Sequence, residues 1–165
     1  MSARTEAGVI SGPVPPAASS AAVSSRMKSQ RTRDTAPELM LRRALWRRGL
    51  RYRIDSRPLP GRIRPDIVFP GARVAVFVDG CFWHSCPDHG TMPRANRDWW
   101  GAKLTANRER DERGVAALEA AGWLALRVWE HEDMECVAQR IAEVVRQRVA
   151  VGFRPLALRA SGESF

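Results

Sequence analysis

The chain of 165 residues carries 27 Lys and Arg against 18 Asp and Glu, for a formal net charge of +9 and a pI near 11.0. That length suits one domain with one core, and the basic balance points to a polyanionic partner, because phosphate neutralisation with counterion release gives such surfaces affinity for nucleic acid. No run approaches the ~18–20 apolar residues needed to span a bilayer, which excludes a membrane role, and three cysteines without a secretory h-region argue for a reducing cytoplasm rather than a disulfide framework.

Residues 1–30 are built from Ala, Ser, Gly, Pro and Val without a period of 2 or 3.6, and read as a disordered leader. The basic tract Arg26, Lys28, Arg31 and Arg33 is equally a solvated linker or an arm that orders on a DNA backbone. A helix is expected over 36–48, where Thr35 can cap, Pro37 suits the first turn, Glu38 falls at the capping-box position and Gly49 ends the run. Leu39, Leu41, Leu45 and Trp46 supply its apolar face. Leu50 to Ile54 alternates as a short strand, Pro58 to Gly61 breaks the chain, and 64–79 reads as strand, turn at Pro70-Gly71, strand. A long helical pattern from Asp98 to Ala121 carries Leu104, Val115 and Leu118 and stops at Gly122. The apolar run Trp123 to Trp129 is a strand, and 134–149 a closing helix.

The order of elements describes an α/β domain over 31–150, a mixed β-sheet flanked by helices, followed by a tail at 151–165. No strand is followed by a glycine-rich phosphate loop, which argues against a doubly wound nucleotide fold.

Two segments carry chemistry. Asp66 opens one apolar strand and Asp79 closes the next, so their carboxylates can converge at neighbouring strand ends and hold a hard cation; the plainer reading is an aspartate at each strand end in a turn. The segment Cys81-Phe82-Trp83-His84-Ser85-Cys86-Pro87-Asp88-His89 then places thiols and imidazoles at short loop spacings. Cys81, Cys86 and His89 offer three zinc ligands. A fourth is expected from His131, just past the strand 123–129, with Cys136 in reserve.

Taken together, Arg33-Asp34-Thr35 with Glu38, Leu59-Pro60-Gly61, Pro65-Asp66-Ile67-Val68, Val76-Phe77-Val78, Gly80-Cys81-Phe82-Trp83-His84, Trp100, Lys103, Asn107, Arg110-Asp111, Ala120, Gly122-Trp123 and Val128-Trp129-Glu130 resemble the very-short-patch repair endonuclease family over about residues 26–135. The resemblance implies a restriction-endonuclease-like fold of the PD-(D/E)xK type, a structural zinc, a magnesium-dependent site, and nicking of one strand of duplex DNA beside a T:G mismatch. It makes Asp66 the magnesium ligand with the Val78 backbone carbonyl, His84 the general base, and Glu38 an active-site acid that can also serve the capping box. It makes Phe82, Trp83 and Trp100 aromatics that wedge into the opened base step. Trp100 reads equally as a core residue one turn from Leu104. Lys103, Asn107 and Arg110 share a helical face suited to phosphates, or to pairing with nearby acids.

Two positions depart from the family pattern. Asp79 stands where some relatives carry an active-site histidine, which suggests a second acidic metal ligand. His131 stands where relatives often use cysteine, giving a Cys2His2 set. The expected protein is a monomeric cytoplasmic enzyme acting on mismatched DNA, with mismatch-repair proteins as further partners. The rival readings are a related restriction or mobile-element nuclease and a zinc-supported DNA-binding protein without catalysis.

Overall fold

In the computed structural model, which describes residues 33–151, the first helix, α1 (Ala36–Arg47), begins with Pro37 in its first turn. The expected leader, its tract through Arg31 and the tail from Gly152 lie outside the described residues. The capping box takes another form here. The Thr35 hydroxyl donates to Glu38 Oε1 (3.1 Å) rather than accepting from the helix, and Glu38 Oε2 accepts the Asp34 amide (3.0 Å). The buried carboxylate thereby becomes the acceptor for the whole turn. At the other end Gly49 adopts φ +77, and Leu50 N–H reaches back to the Leu45 carbonyl at 3.1 Å. That left-handed turn suits glycine and lets Leu50 rejoin the core.

The expected strand at Leu50–Ile54 is not formed. It contributes one antiparallel bridge, Arg53 to Val68, with N···O distances of 2.8 and 2.9 Å. Asp55, at φ +55, turns the chain away immediately afterwards, and the facing strand is only three residues long. Tyr52 still anchors the segment, edge-on to Phe69 and bonded through its hydroxyl to the Arg42 carbonyl at 3.0 Å.

The sheet itself has three strands, β1 (Ile67–Phe69), β2 (Val74–Asp79) and β3 (Leu124–Trp129), in the order β1-β2-β3. β1 and β2 pair antiparallel with Ile67 opposite Val76, and β2 and β3 pair parallel with Asp79 opposite Trp129. The turn between β1 and β2 places its positive φ at Arg73 rather than Gly71. The parallel crossover runs through the 24-residue helix α2 (Arg97–Ala120), which ends at Gly122 (φ +78). A last helix, α3 (Met134–Ala150), is capped by Asp133, whose Oδ1 accepts the Glu135 and Cys136 amides at 2.8 and 2.9 Å.

Strand alternation sorts the sheet into two faces. Ile67, Phe69, Val74, Val76 and Val128 point to one side, where α1 and α3 close over them with Leu41, Ala44, Leu45, Val137, Ile141 and Val145. Each fully buried Leu or Ile there contributes about 1.5–3 kcal/mol. Trp46, expected on this face, is instead 57% exposed, with the Arg51 guanidinium 3.8 Å from its ring centroid. The apolar stripe of α1 is set by Leu41, Ala44 and Leu45 and turns Trp46 outward. On the opposite face stand Asp66, Phe77, Asp79 and Arg127, and there α2 lies against β3.

Candidate active site and metal centre

The polar face of the sheet opens into a cleft of about 610 Å3, lined among others by Glu38, Asp66, Val78, Asp79, Trp83 and His84. The sequence readings at these positions thus meet in one place.

Asp66 Oδ2 accepts the Val78 amide at 2.7 Å. The amide and carbonyl of one strand residue point to the same edge, so the Val78 carbonyl shares the edge that Asp66 occupies. Burial first, then the neighbouring carboxylates of Glu38 and Asp79, push the Asp66 carboxyl up to about 6, against the lowering effects of the Val78 amide and Arg42. The other two acids have cationic partners: Arg42 meets Glu38 at 3.0 Å, and Arg127 holds Asp79 at 2.5 and 2.7 Å. Among the described residues no arginine lies within salt-bridge distance of Asp66. A half-buried carboxylate without a matched cation, beside backbone oxygen, has the hard donor chemistry that suits magnesium.

His84 Nδ1 lies 2.6 Å from Asp111 Oδ2, a partner on α2. Burial raises the Asp111 pKa, but the His84 and Arg127 hydrogen bonds outweigh it and hold this carboxyl well below the usual carboxylate range. An ionised carboxylate only accepts, so the ring carries its proton on Nδ1 and leaves Nε2 as the basic nitrogen. The sequence assigns Asp111 no role of its own. Its position in α2, 27 residues from His84, gives no local spacing signal. Arg127, inside an apolar strand pattern, was also missed, although a charge in such a run was the available clue.

Beyond the cleft, Cys81, Cys86, His89 and His131 offer one ligand atom each, all within 4.8 Å of one another. Cys81 Sγ to His131 Nδ1 is 3.1 Å, Cys86 Sγ to His131 Nδ1 3.8 Å, and Cys86 Sγ to His89 Nδ1 3.9 Å. Tetrahedral zinc would set such separations at ~3.3–3.8 Å, so the four residues fit that ion. Burial, then the adjoining Cys86 and Glu130, push the Cys81 thiol up to about 11, the crowding of soft donors that a bound cation relieves. Cys136 is exposed and stands outside the group. The loop is drawn tight: Gly90 donates to the Cys86 carbonyl at 2.8 Å, and a Cβ at Gly90 would stand 2.4 Å from that oxygen. Glu130 Oε1 accepts the Cys81 amide at 2.7 Å and ties the loop to the end of β3.

Phe82, Trp83 and Trp100 form one aromatic cluster with centroids 5.0, 5.2 and 6.0 Å apart, and Trp99 adjoins it at 4.8 Å from Trp100. Trp100 is nearly buried and forms the base, whereas Phe82 and Trp83 are part-exposed. On α2, Lys103 is part-exposed and Arg110 exposed, pairing with Asp111 at 3.1 Å. Asn107, expected to face phosphates, is only 7% exposed and donates to the Trp83 carbonyl at 3.3 Å.

Comparison with known proteins gives this arrangement a lineage. Residues 18–88 match the family model described as DNA mismatch endonuclease Vsr. Type II nicking enzyme V.NaeI of Lentzea aerocolonigenes is 44% identical over 133 residues, 79% of this chain and 80% of that protein. Type II nicking enzyme V.XorIIP of Xanthomonas oryzae pv. oryzae is 40% identical over 122 residues, 72% of this chain and 88% of its own. DNA mismatch endonuclease Vsr of Escherichia coli is 39% identical over 108 residues, 65% and 68% of the two chains. With identities of this size spread over most of each relative's length, the chain belongs to the Vsr DNA mismatch endonuclease family.

Proposed function

We propose that this protein nicks one strand of duplex DNA beside a T:G mismatch by magnesium-dependent phosphodiester hydrolysis. Its activity as a DNA mismatch nicking endonuclease follows from the family, and the T:G preference and the metals are our reading. The observation that carries it is the meeting of Asp66 and His84 in one cleft beside the part-exposed Phe82 and Trp83. We read the sheet and helices as a restriction-endonuclease-like domain at 31–150, acting as a monomer.

Asp66 and the Val78 carbonyl would hold magnesium, which when bound offsets phosphate charge and acidifies water. His84 then removes the proton from the attacking water at Nε2, with Asp111 holding the Nδ1–H and favouring the imidazolium that forms. Glu38, fixed by Arg42, Asp34 and Thr35, adds negative field beside Asp66 and so favours cation binding there. A flat ring can replace lost stacking where a mispaired step is cheapest to open; Phe82 and Trp83 suit that role, and Trp100 supports them from beneath. Asn107 holds the Trp83 backbone in register with the cleft, and Lys103 and Arg110 contact phosphates. Zinc on Cys81, Cys86, His89 and His131 keeps the intervening Phe82, Trp83 and His84 in place.

The test is single-turnover nicking on duplexes that hold one mismatch each in varied flanking sequence, across a magnesium titration, for wild type, Asp66→Asn and His84→Ala. T:G duplexes should be cut first and paired duplexes spared. Asp66→Asn should abolish the reaction, and His84→Ala should lose it while retaining magnesium-dependent binding of mismatched duplex. Wild-type rates in Asp66→Asn would refute the site assignment, and equal cutting of paired and mismatched duplex would refute the specificity.

A further inference from the structure

We propose that Arg127 is a positioning residue for the nicking reaction: it withdraws Asp79 from the metal-binding set and so leaves His84 a single carboxylate partner, Asp111. This rests on the catalytic reading of Asp66 and His84 given above.

The argument starts with the strand pattern. Arg127 sits on the polar face of β3, and Asp79 occupies the same face at the end of β2. Its guanidinium meets Asp79 as a fork, Nε to Oδ2 at 2.5 Å and a terminal nitrogen to Oδ1 at 2.7 Å. This is the bidentate geometry in which arginine binds a carboxylate most strongly. The same terminal nitrogen lies 3.1 Å from Asp111 Oδ2 and 3.1 Å from His84 Nδ1. The ring nitrogen cannot both donate to Asp111 and accept from Arg127, and the 2.6 Å contact to Asp111 is the shorter. Arg127 therefore acts on the ring through the two carboxylates it bridges.

His84 Nδ1 also lies 3.7 Å from Asp79 Oδ1. The ring thus has two acceptors within a small movement of each other, and the fork to Arg127 keeps Asp79 out of the competition. Asp79 is 3% exposed, with both oxygens engaged, which is not the condition of a carboxylate waiting for a metal ion. Among the described residues Asp66 beside it has no such partner. Removing Arg127 would leave the buried Asp79 and the half-buried Asp111 facing one imidazole, with the ring free to turn toward either.

The experiment compares Arg127→Met, Asp79→Asn, the double variant and Asp66→Asn. Single-turnover nicking is measured at saturating mismatched duplex, with duplex affinity, and Mn2+ affinity of the DNA-free protein is read by electron paramagnetic resonance. Arg127→Met should slow nicking about 10–100-fold, part of what a positioned general base contributes, with duplex affinity within about 3-fold of wild type. The double variant should be faster than Arg127→Met, because the competing charge is gone. Asp79→Asn should keep Mn2+ affinity within about 3-fold while Asp66→Asn loses it. Should Arg127→Met fail to fold, Arg127→Lys keeps the charge without the fork and should still slow the reaction. The inference is overturned if Arg127→Met, or Arg127→Lys where the first does not fold, nicks at the wild-type rate, if the double variant is slower than Arg127→Met, or if Asp79→Asn loses Mn2+ as Asp66→Asn does. Wild-type nicking by Asp66→Asn would overturn the catalytic reading itself and this inference with it, whereas an inactive Asp66→Asn beside a wild-type Arg127→Met overturns the inference alone.

Discussion

Asp66→Asn should make the magnesium-free protein more stable, although it destroys the proposed metal site. The Asp66 carboxyl is raised from 3.8 to about 6 by burial and its acidic neighbours, so an ionised Asp66 costs the folded state free energy that an amide does not. A displacement of that size, at about 1.4 kcal/mol per pH unit, sets an upper bound near 3 kcal/mol. The asparagine oxygen can still accept the Val78 amide, so about 1–3 kcal/mol of relief is expected, or roughly 3–10 °C in Tm for a domain of this size. The sign follows from linkage. The folded-state pKa lies above the unfolded one, so the unfolded chain releases its proton first, and folding loses stability as pH rises from 3.8 to about 6. The variant should match wild type near pH 4 and exceed it fully above pH 7. Denaturant midpoints at both pH values, in magnesium-free buffer, measure the difference, and adding magnesium should stabilise wild type alone. If Asp66→Asn is no more stable than wild type at pH 8, the crowded-carboxylate account of this cleft is wrong.

Elemental analysis of protein purified without added metal should find zinc near one per chain, and Cys86→Ser should lose it together with folding at moderate temperature; intact folding of zinc-free protein in strong chelator would refute the Cys2His2 assignment. Trp83→Ala should reduce discrimination between mismatched and paired duplex more than total DNA binding, since stacking reports on the opened step while phosphate contacts are blind to it. Equal loss on both duplexes would place Trp83 in the backbone-binding surface. Leu41→Ala, at a position with no exposure, should cost about 2–5 kcal/mol in chemical denaturation, while nicking per folded molecule stays near wild type. A loss under 1 kcal/mol would mean that α1 is not packed as described.

Helix ends and ligand types were legible from the residues because their causes are local. Gly49 and Gly122 stop their helices by adopting positive φ, and the four zinc candidates were found from thiols and imidazoles around one loop and one strand end. What depended on distant partners was not legible. The strand at Leu50–Ile54 has a plausible alternating pattern, yet its pairing was decided by the shortness of β1 and the turn at Asp55. Asp79 read as a free acid because its neutralising arginine lies 48 residues away, in a strand that otherwise looked apolar. Asn107 read as a surface contact because its spacing on α2 places it with Lys103 and Arg110, whereas it is buried and its amide donates to the Trp83 carbonyl.

Helix α2 carries Trp100 under the aromatic cluster and Asp111 beside His84, about 16 Å apart along one continuous axis at 1.5 Å per residue. Each residue of an α-helix also turns the chain by about 100°. Losing or gaining one residue between these positions would swing Asp111 off the histidine while leaving Trp100 in place. The segment should therefore tolerate changes of residue type on its exposed side, where Arg108, Glu109 and Glu112 stand, far better than any change of length. Natural variation in the family should accordingly enter α2 as substitutions, with insertions and deletions displaced to the loop before Arg97.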